Sequence, residues 1–187
     1  MGAAPAIQND DLQSARVRIK ASSAIYADIV DFLNDEAALM DDDLHKEWLG
    51  CLAEDISYVI PLRKNLHRKD GRGFDGGGFL FKDDLASLTL RVRRSVEITH
   101  AYDREPPPRI RRFITNIIVH EGDASSEYAV RSNILLMRNR FNDAQYDMLT
   151  GKREDVVRQV DGGLKLAKRI VYVDQTVLGA PYLNVFM

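Results

Sequence analysis

The run Phe113-Ile114-Thr115-Asn116-Ile117-Ile118-Val119, followed by Tyr128-Ala129-Val130-Arg131-Ser132-Asn133-Ile134-Leu135-Leu136, decides how the chain folds. In the first run Phe113, Thr115, Ile117 and Val119 alternate with Ile114, Asn116 and Ile118, and in the second Tyr128, Val130, Ser132, Ile134 and Leu136 fall on one side, the period-two pattern of extended strands. Val156, Val157 and Val160 mark a third strand, and Gly162-Gly163 turns the chain into a fourth, with Leu166, Ile170, Tyr172, Asp174 and Thr176 expected on one side. Gly122-Asp123 and Asn142-Asp143 supply turn chemistry between them. Both faces of several strands are apolar, so one face is expected on helices and the other on a partner or a pocket.

Upstream the period changes. Ile25, Ile29, Phe32, Leu33, Ala37 and Met40 are three or four apart, the spacing of one helical face. Asp41-Asp42-Asp43 is expected to end that helix and to cap a second, in which Leu44, Trp48 and Leu52 share a face with Cys51 nearby. Ile56, Tyr58 and Ile60 alternate as a short strand closed by Pro61. Residues 63–82, with Arg63, Lys64, Arg68, Lys69 and Arg72 and five glycines between Gly71 and Gly78, read as a long loop suited to a partner contact. A third helix, capped by Asp83 or Asp84, carries Leu85, Leu88, Val92 and Val96, and Pro106-Pro107-Pro108 precedes the strands. The expectation is a loose arm over residues 1–20 and one α+β domain over 21–187, in which a curved antiparallel sheet packs over three N-terminal helices as a cone.

The composition narrows the chemistry. Lys+Arg 26 against Asp+Glu 28 gives a formal charge of −2, which does not suit a nucleic-acid or anionic-membrane partner. No run approaches the roughly 20 apolar residues of a membrane-spanning helix, and Met1 to Asp11 has no apolar signal core. The single cysteine, Cys51, excludes an internal disulfide and fits a reducing cytoplasm. It also excludes an iron–sulfur cluster held by two Cys and two His. His45, His67, His100 and His120 stand far apart, without metal-ligand spacing. Cys51 beside Trp48 and Leu52 reads as a small buried hydrophobe, not a nucleophile. Gly71 to Gly78 lack the Lys-Ser/Thr of a phosphate loop. The arginines Arg91, Arg93, Arg94, Arg104, Arg109, Arg111 and Arg112 stand near Glu97, Asp103 and Glu105, which favours salt bridges over nucleic acid. The acid–base alternative is a stand-alone isomerase or dehydratase, with Asp55, Tyr58 and His100 cast as its catalytic group inside the cone. Val185-Phe186-Met187 is expected to be buried, in the chain's own domain or at a subunit contact.

Several of these stretches together resemble the β subunits of Rieske-type aromatic-ring-hydroxylating dioxygenases, the biphenyl and naphthalene class. They are Phe32-Leu33-Asn34-Asp35-Glu36-Ala37, His45-Lys46-Glu47-Trp48-Leu49, Leu52-Ala53-Glu54-Asp55-Ile56-Ser57-Tyr58 and Leu90-Arg91-Val92-Arg93-Arg94. The likeness continues through Pro106 to Ile117, Leu166-Ala167-Lys168-Arg169-Ile170, Val173-Asp174-Gln175-Thr176-Val177-Leu178 and Leu183-Asn184-Val185-Phe186. It implies a nuclear-transport-factor-2-like (cystatin-like) cone and an assembly of three α and three β subunits. The α subunit would carry a Rieske 2Fe-2S cluster and a mononuclear non-haem iron, with ferredoxin and reductase delivering electrons. The reaction would add O₂ to an arene to give a cis-dihydrodiol. It implies no catalytic, cofactor-binding or metal-binding residue in this chain.

Overall fold

The computed structural model describes residues 16–67, 69, 71, 73–74, 77–97, 107–176 and 186–187. Three helices are described: α1 (Ala24–Asp41), α2 (His45–Leu49) and α3 (Leu85–Glu97). The strands are β1 (Leu52–Pro61), β2 (Phe79–Asp83), β3 (Arg109–Glu121), β4 (Glu127–Asn139), β5 (Asp147–Val160) and β6 (Gly163–Val173).

The α1 stripe of Ile29, Leu33, Ala37 and Met40 is buried, with Glu36 buried in its midst. The acidic run ends α1 as expected, Asp43 taking a left-handed φ of 61°. It does not cap α2, however. The residue before α2 is Leu44, without a side-chain cap, and Asp41 instead accepts from Arg112. Helix α2 is also shorter than its apolar spacing suggests: Cys51 lies past its end and Leu52 opens β1. Asp84 does cap α3. It accepts from the Ser87 backbone N–H at 2.8 Å while Ser87 Oγ accepts from the Asp84 N–H at 2.8 Å, a reciprocal box with serine in the role usual for glutamate. Leu88 and Val92 then face the core; the Val96 side chain lies outside what is described.

The strands form one curved sheet in the order β2-β1-β6-β5-β4-β3. It is mixed, which corrects the antiparallel expectation: β1 and β6 run parallel, pairing Ser57 with Lys168 and Val59 with Ile170. Nor are the three helices all N-terminal to the sheet, because α3 follows β1 and β2. Part of the expected long loop is strand β2, paired from Tyr58↔Asp83 to Pro61↔Phe79. The intervening turn is pinned by Leu62 N–H to Gly78 O at 2.9 Å and Lys64 N–H to Gly73 O at 2.7 Å. Gly73 has φ 86°, and a Cβ there would meet Lys64 O at 2.4 Å, so this position requires glycine. Arg68, Arg72 and Gly76 lie outside the described residues.

Strand β5 begins nine residues before Val156, its polar first half paired throughout with β4. Two irregularities change which faces are presented. Between Thr115 and Ile118 the β3 register shifts, with Asn116 at φ 54°, so Phe113 points outward while Val119 is fully buried. A shift at Val156/Val157 puts Leu166 in phase with the buried Arg169, Val171 and Val173 and out of phase with Ile170 and Tyr172. Residues 17–19 run beside β3, with Ile19 N–H to Val119 O at 2.9 Å and Glu121 N–H to Val17 O at 3.0 Å.

The core lies between the inner face of the sheet and the helices. Trp48, Tyr58, Ile60, Leu88, Ile134, Leu136, Leu149 and Leu166 are among its fully buried members, and Phe186 and Met187 join the same cluster.

Candidate functional site

In a cone of this kind the interior is where a pocket would form, and among the described residues it holds a buried cluster of charges together with Phe186 and Met187. Alternation along β4, β5 and β6 turns Ser132, Arg153, Asp155 and Arg169 inward, and the helical period of α1 brings Glu36 to meet them; all five are buried. Arg169 grips Asp155 with two parallel bonds, Nε to Oδ1 and Nη2 to Oδ2, each 2.9 Å. Its remaining nitrogen, Nη1, donates to Glu36 Oε1 at 2.6 Å, the oxygen that also accepts from Trp48 Nε1 at 2.8 Å. Arg153 Nη1 stands 3.7 Å from Glu36 Oε2, and Arg153 Nε donates to Ser132 Oγ at 3.2 Å. Arg153 Nη2 is buried without a hydrogen-bond partner.

The electrostatics follow from that geometry. Burial alone would raise the Glu36 carboxyl, but Arg169 and Arg153, with the bonds from Arg169 and Trp48, outweigh it and hold it at about 2. For Arg169, Asp155 and Glu36 outweigh burial and raise its pKa well above the arginine value. Arg153 goes the other way, lowered by burial and by the neighbouring Arg169 charge. Two cations and two anions therefore neutralise one another in place. The Glu36 carboxyl is thus held far below the near-neutral range that suits a general acid or base.

The chain end closes this interior. The Phe186 ring lies 4.7 Å from Trp48 and 6.0 Å, edge on, from His45, with the Arg91 guanidinium 4.6 Å over it. Arg112 Nε and Nη2 donate to Phe186 O at 3.1 and 2.8 Å. Tyr58 Oη accepts from Met187 N–H and donates to Met187 O, both at 2.8 Å. Thus the expected burial of the apolar end is met for Phe186 and Met187 within the chain's own core, while Val185 lies outside the described residues.

Of the residues of the acid–base alternative, Asp55 and Tyr58 are not brought together. Asp55 is on the outer face of β1, its side chain 62% exposed and held by Arg158 at 2.8 and 3.0 Å, which lowers its pKa. Tyr58, three positions on, faces inward with its hydroxyl occupied by Met187, and burial raises its pKa. His100, with Asp103, Arg104, Glu105 and Pro106, lies outside the described residues. His45 sits by Asp43, Nδ1 to Oδ1 at 3.2 Å, and His67 is exposed. His120 stands beside Arg18 in an isolated bridge, and partial burial with Arg18, Arg131 and Arg16 lowers its pKa. Cys51 is half-buried with its thiol pKa raised by burial and by Glu36, the opposite of an activated nucleophile. Among the described residues no group of three His, Cys, Asp or Glu is placed to hold a metal ion.

The arginines near the start of the long strands pair within the chain: Arg112 with Asp41 and Arg91 with Asp83, both at 2.6 Å. The buried network itself escaped the sequence reading, although Glu36 in the middle of an apolar stripe is its visible signal.

A family model described as the ring hydroxylating beta subunit matches residues 35–180. The chain belongs to this family of ring-hydroxylating dioxygenase β subunits. The biphenyl 2,3-dioxygenase subunit beta of Rhodococcus jostii (strain RHA1) is 31% identical over 155 residues, 81% of this chain and 82% of that one. A solved naphthalene 1,2-dioxygenase with indole in its active site aligns over 96% of this chain and 94% of the solved chain, with a TM-score of 0.83 and 24% identity. A putative scytalone dehydratase from Novosphingobium aromaticivorans aligns over 84% and 89% with a TM-score of 0.59 at 16% identity, a likeness of fold alone. The fold is thus the α+β, nuclear-transport-factor-2-like cone. As a dioxygenase β subunit, the chain is the non-catalytic component of an oxidoreductase complex whose other partner is an iron-bearing α subunit. No described helix is long and apolar enough to cross a membrane.

Proposed function

We propose that this β subunit is a cofactor-free scaffold in a cytoplasmic hexamer of three α and three β subunits. The α subunit holds a Rieske 2Fe-2S cluster and a mononuclear non-haem iron, and a ferredoxin and reductase supply its electrons. The complex adds both atoms of O₂ to an aromatic hydrocarbon, giving a cis-dihydrodiol. In this reading residues 21–187 act as one domain with residues 1–20 as an arm, and no residue of the chain is catalytic, cofactor-binding or metal-binding.

The observation that carries the proposal is the filled interior. An enzyme on this fold needs a cavity with a free ionisable group, whereas here Glu36, Asp155, Arg153 and Arg169 bind one another and Phe186 and Met187 occupy the space against Tyr58 and Trp48. The outer face offers the complementary feature. Phe113 on β3 is 49% exposed and pairs with Leu135, and Met148 on β5 is 55% exposed and pairs with Met137. An apolar group at adjacent register positions on a solvent face suits a subunit contact.

The test is to express the chain alone and together with the α subunit encoded beside it, and to record native mass, iron content and arene hydroxylation. The expected result is no iron in the isolated chain and a six-chain, iron-bearing, arene-hydroxylating complex with α. A self-sufficient oligomer that ignores α overturns the proposal.

A further inference from the structure

The contacts of Phe186 and Met187 have the character of a ligand in a site. A phenylalanine residue, read from ring to carbonyl, is a 3-phenylpropanoyl group. Its ring is enclosed by Trp48, His45 and the Arg91 guanidinium, and its carbonyl oxygen is held by both nitrogens on one edge of Arg112. That edge is the fork that binds a carboxylate through two oxygens. It is free for this purpose because Arg112 meets Asp41 through its other terminal nitrogen, Nη1, at 2.6 Å. The next peptide unit is read as well, by Tyr58 Oη on both its N–H and its carbonyl and by Arg169 Nη1 at 3.3 Å from Met187 O. Four of the groups that make these contacts are anchored from elsewhere: Arg91 by Asp83, Trp48 by Glu36, Arg112 by Asp41 and Arg169 by Asp155. A site whose walls are fixed independently of its occupant is pre-organised for whatever of that shape enters it.

We propose that the seat of Phe186 and Met187 is a binding site for arylpropanoyl compounds, 3-phenylpropionate being the simplest, and that in the unsubstituted chain it is occupied by Phe186 and Met187 themselves. The aryl ring takes the place of the Phe186 ring among Trp48, His45 and Arg91, and the carboxylate takes the Arg112 fork. The inference is independent of the subunit assignment, since it concerns the isolated chain.

The experiment compares thermal unfolding of the intact chain and of a chain lacking residues 186 and 187, each titrated with 3-phenylpropionate and with propionate. Ligand that binds the folded form alone raises the midpoint. The shortened chain is expected to melt lower, to gain a saturable rise in Tm from 3-phenylpropionate but not from propionate, and to lose most of that rise with Arg112→Lys. Lysine keeps the charge opposite Asp41 but has no two-nitrogen edge. The intact chain is expected not to respond. Should the shortened chain fail to fold, full-length Phe186→Ala, which retains the backbone bonds of the seat, is titrated with toluene, and a saturable rise absent from the unsubstituted chain is expected. The proposal is overturned if a folded shortened chain shows no rise, if the intact chain responds equally, or if toluene leaves Phe186→Ala unchanged.

Discussion

Arg169 and Glu36, 133 positions apart in the sequence, meet at 2.6 Å in the middle of the cone, where neither touches water. Buried pairs of this kind add little when intact, because desolvation offsets their attraction, but they are costly to break from one side. Glu36→Gln retains a side chain that accepts from Trp48 while leaving Arg169 and Arg153 with one anion between them. The expected loss is about 3–5 kcal/mol in urea unfolding. A loss below about 1 kcal/mol would show that water or a rearranged Asp155 replaces the carboxylate.

Acid should act through the same residue. The folded-state pKa of Glu36 is about 2 against an ordinary 4.5. A lowered carboxyl pKa contributes stability that is fully present above pH 4.5 and disappears as pH falls towards 2. Unfolding midpoints across that window should therefore fall more steeply for the unsubstituted chain than for Glu36→Gln. Other shifted carboxyls, Asp55 and Asp84 among them, contribute equally to both and cancel in the comparison. Parallel curves would contradict the Glu36 assignment.

Phe186→Ala removes a ring that touches Trp48, His45 and Arg91 in the core. The expected cost is about 3–5 kcal/mol, and it should appear in the isolated chain, because the residue is buried without any partner. If calorimetry of the isolated chain shows no change and only assembly suffers, the end of the chain is an interface element instead.

Asp55→Asn should be nearly silent. Asp55 bonds Arg158 on the exposed outer face, and such surface pairs are worth up to about 1 kcal/mol. Dihydrodiol formation by the assembled complex should stay unchanged. Loss of a general base would instead lower turnover by about 10²–10⁴-fold, an outcome that would revive the acid–base alternative.

Met148→Lys places a charge in the outer-face group formed with Met137, Leu135 and Phe113. The isolated chain should keep its stability to within about 0.5 kcal/mol, as expected for a surface position, while native mass reports loss of the complex with α. An unchanged complex would remove this face from the candidate contacts.

The parts of the fold that follow a local period are legible in the sequence. Ile29, Leu33 and Met40 announce α1, and Val130, Ser132, Ile134 and Leu136 announce β4. The first part of β5 is hidden because its inward positions run Leu149, Gly151, Arg153 and Asp155, so the alternation of strand is present but not the alternation of hydropathy. The charges that disguised the strand are the buried network itself. Strand β2 is masked by the glycines before it, and the face of Phe113 is misassigned when the shift at Asn116 is not foreseen. The parallel pairing of β1 with β6 has no local signature, since nothing in either segment records its distant neighbour. Glu36, Arg153, Asp155 and Arg169 all occupy positions that periodicity assigns to the interior, and a charge at such a position was the signal available.

That parallel pairing also dictates when the molecule can exist. Strand β6 joins the β2-β1 hairpin on one side to the β5-β4-β3 meander on the other. Until Gly163–Val173 has been made, the sheet is in two parts, each with an unpaired edge beside the gap and open to pairing with a stranger. These contacts span most of the sequence, and such topologies close slowly. Synthesis from the N-terminus thus leaves the sheet in two parts until β6 is made, and only then can Tyr58 on β1 and Arg169 on β6 meet Met187 together.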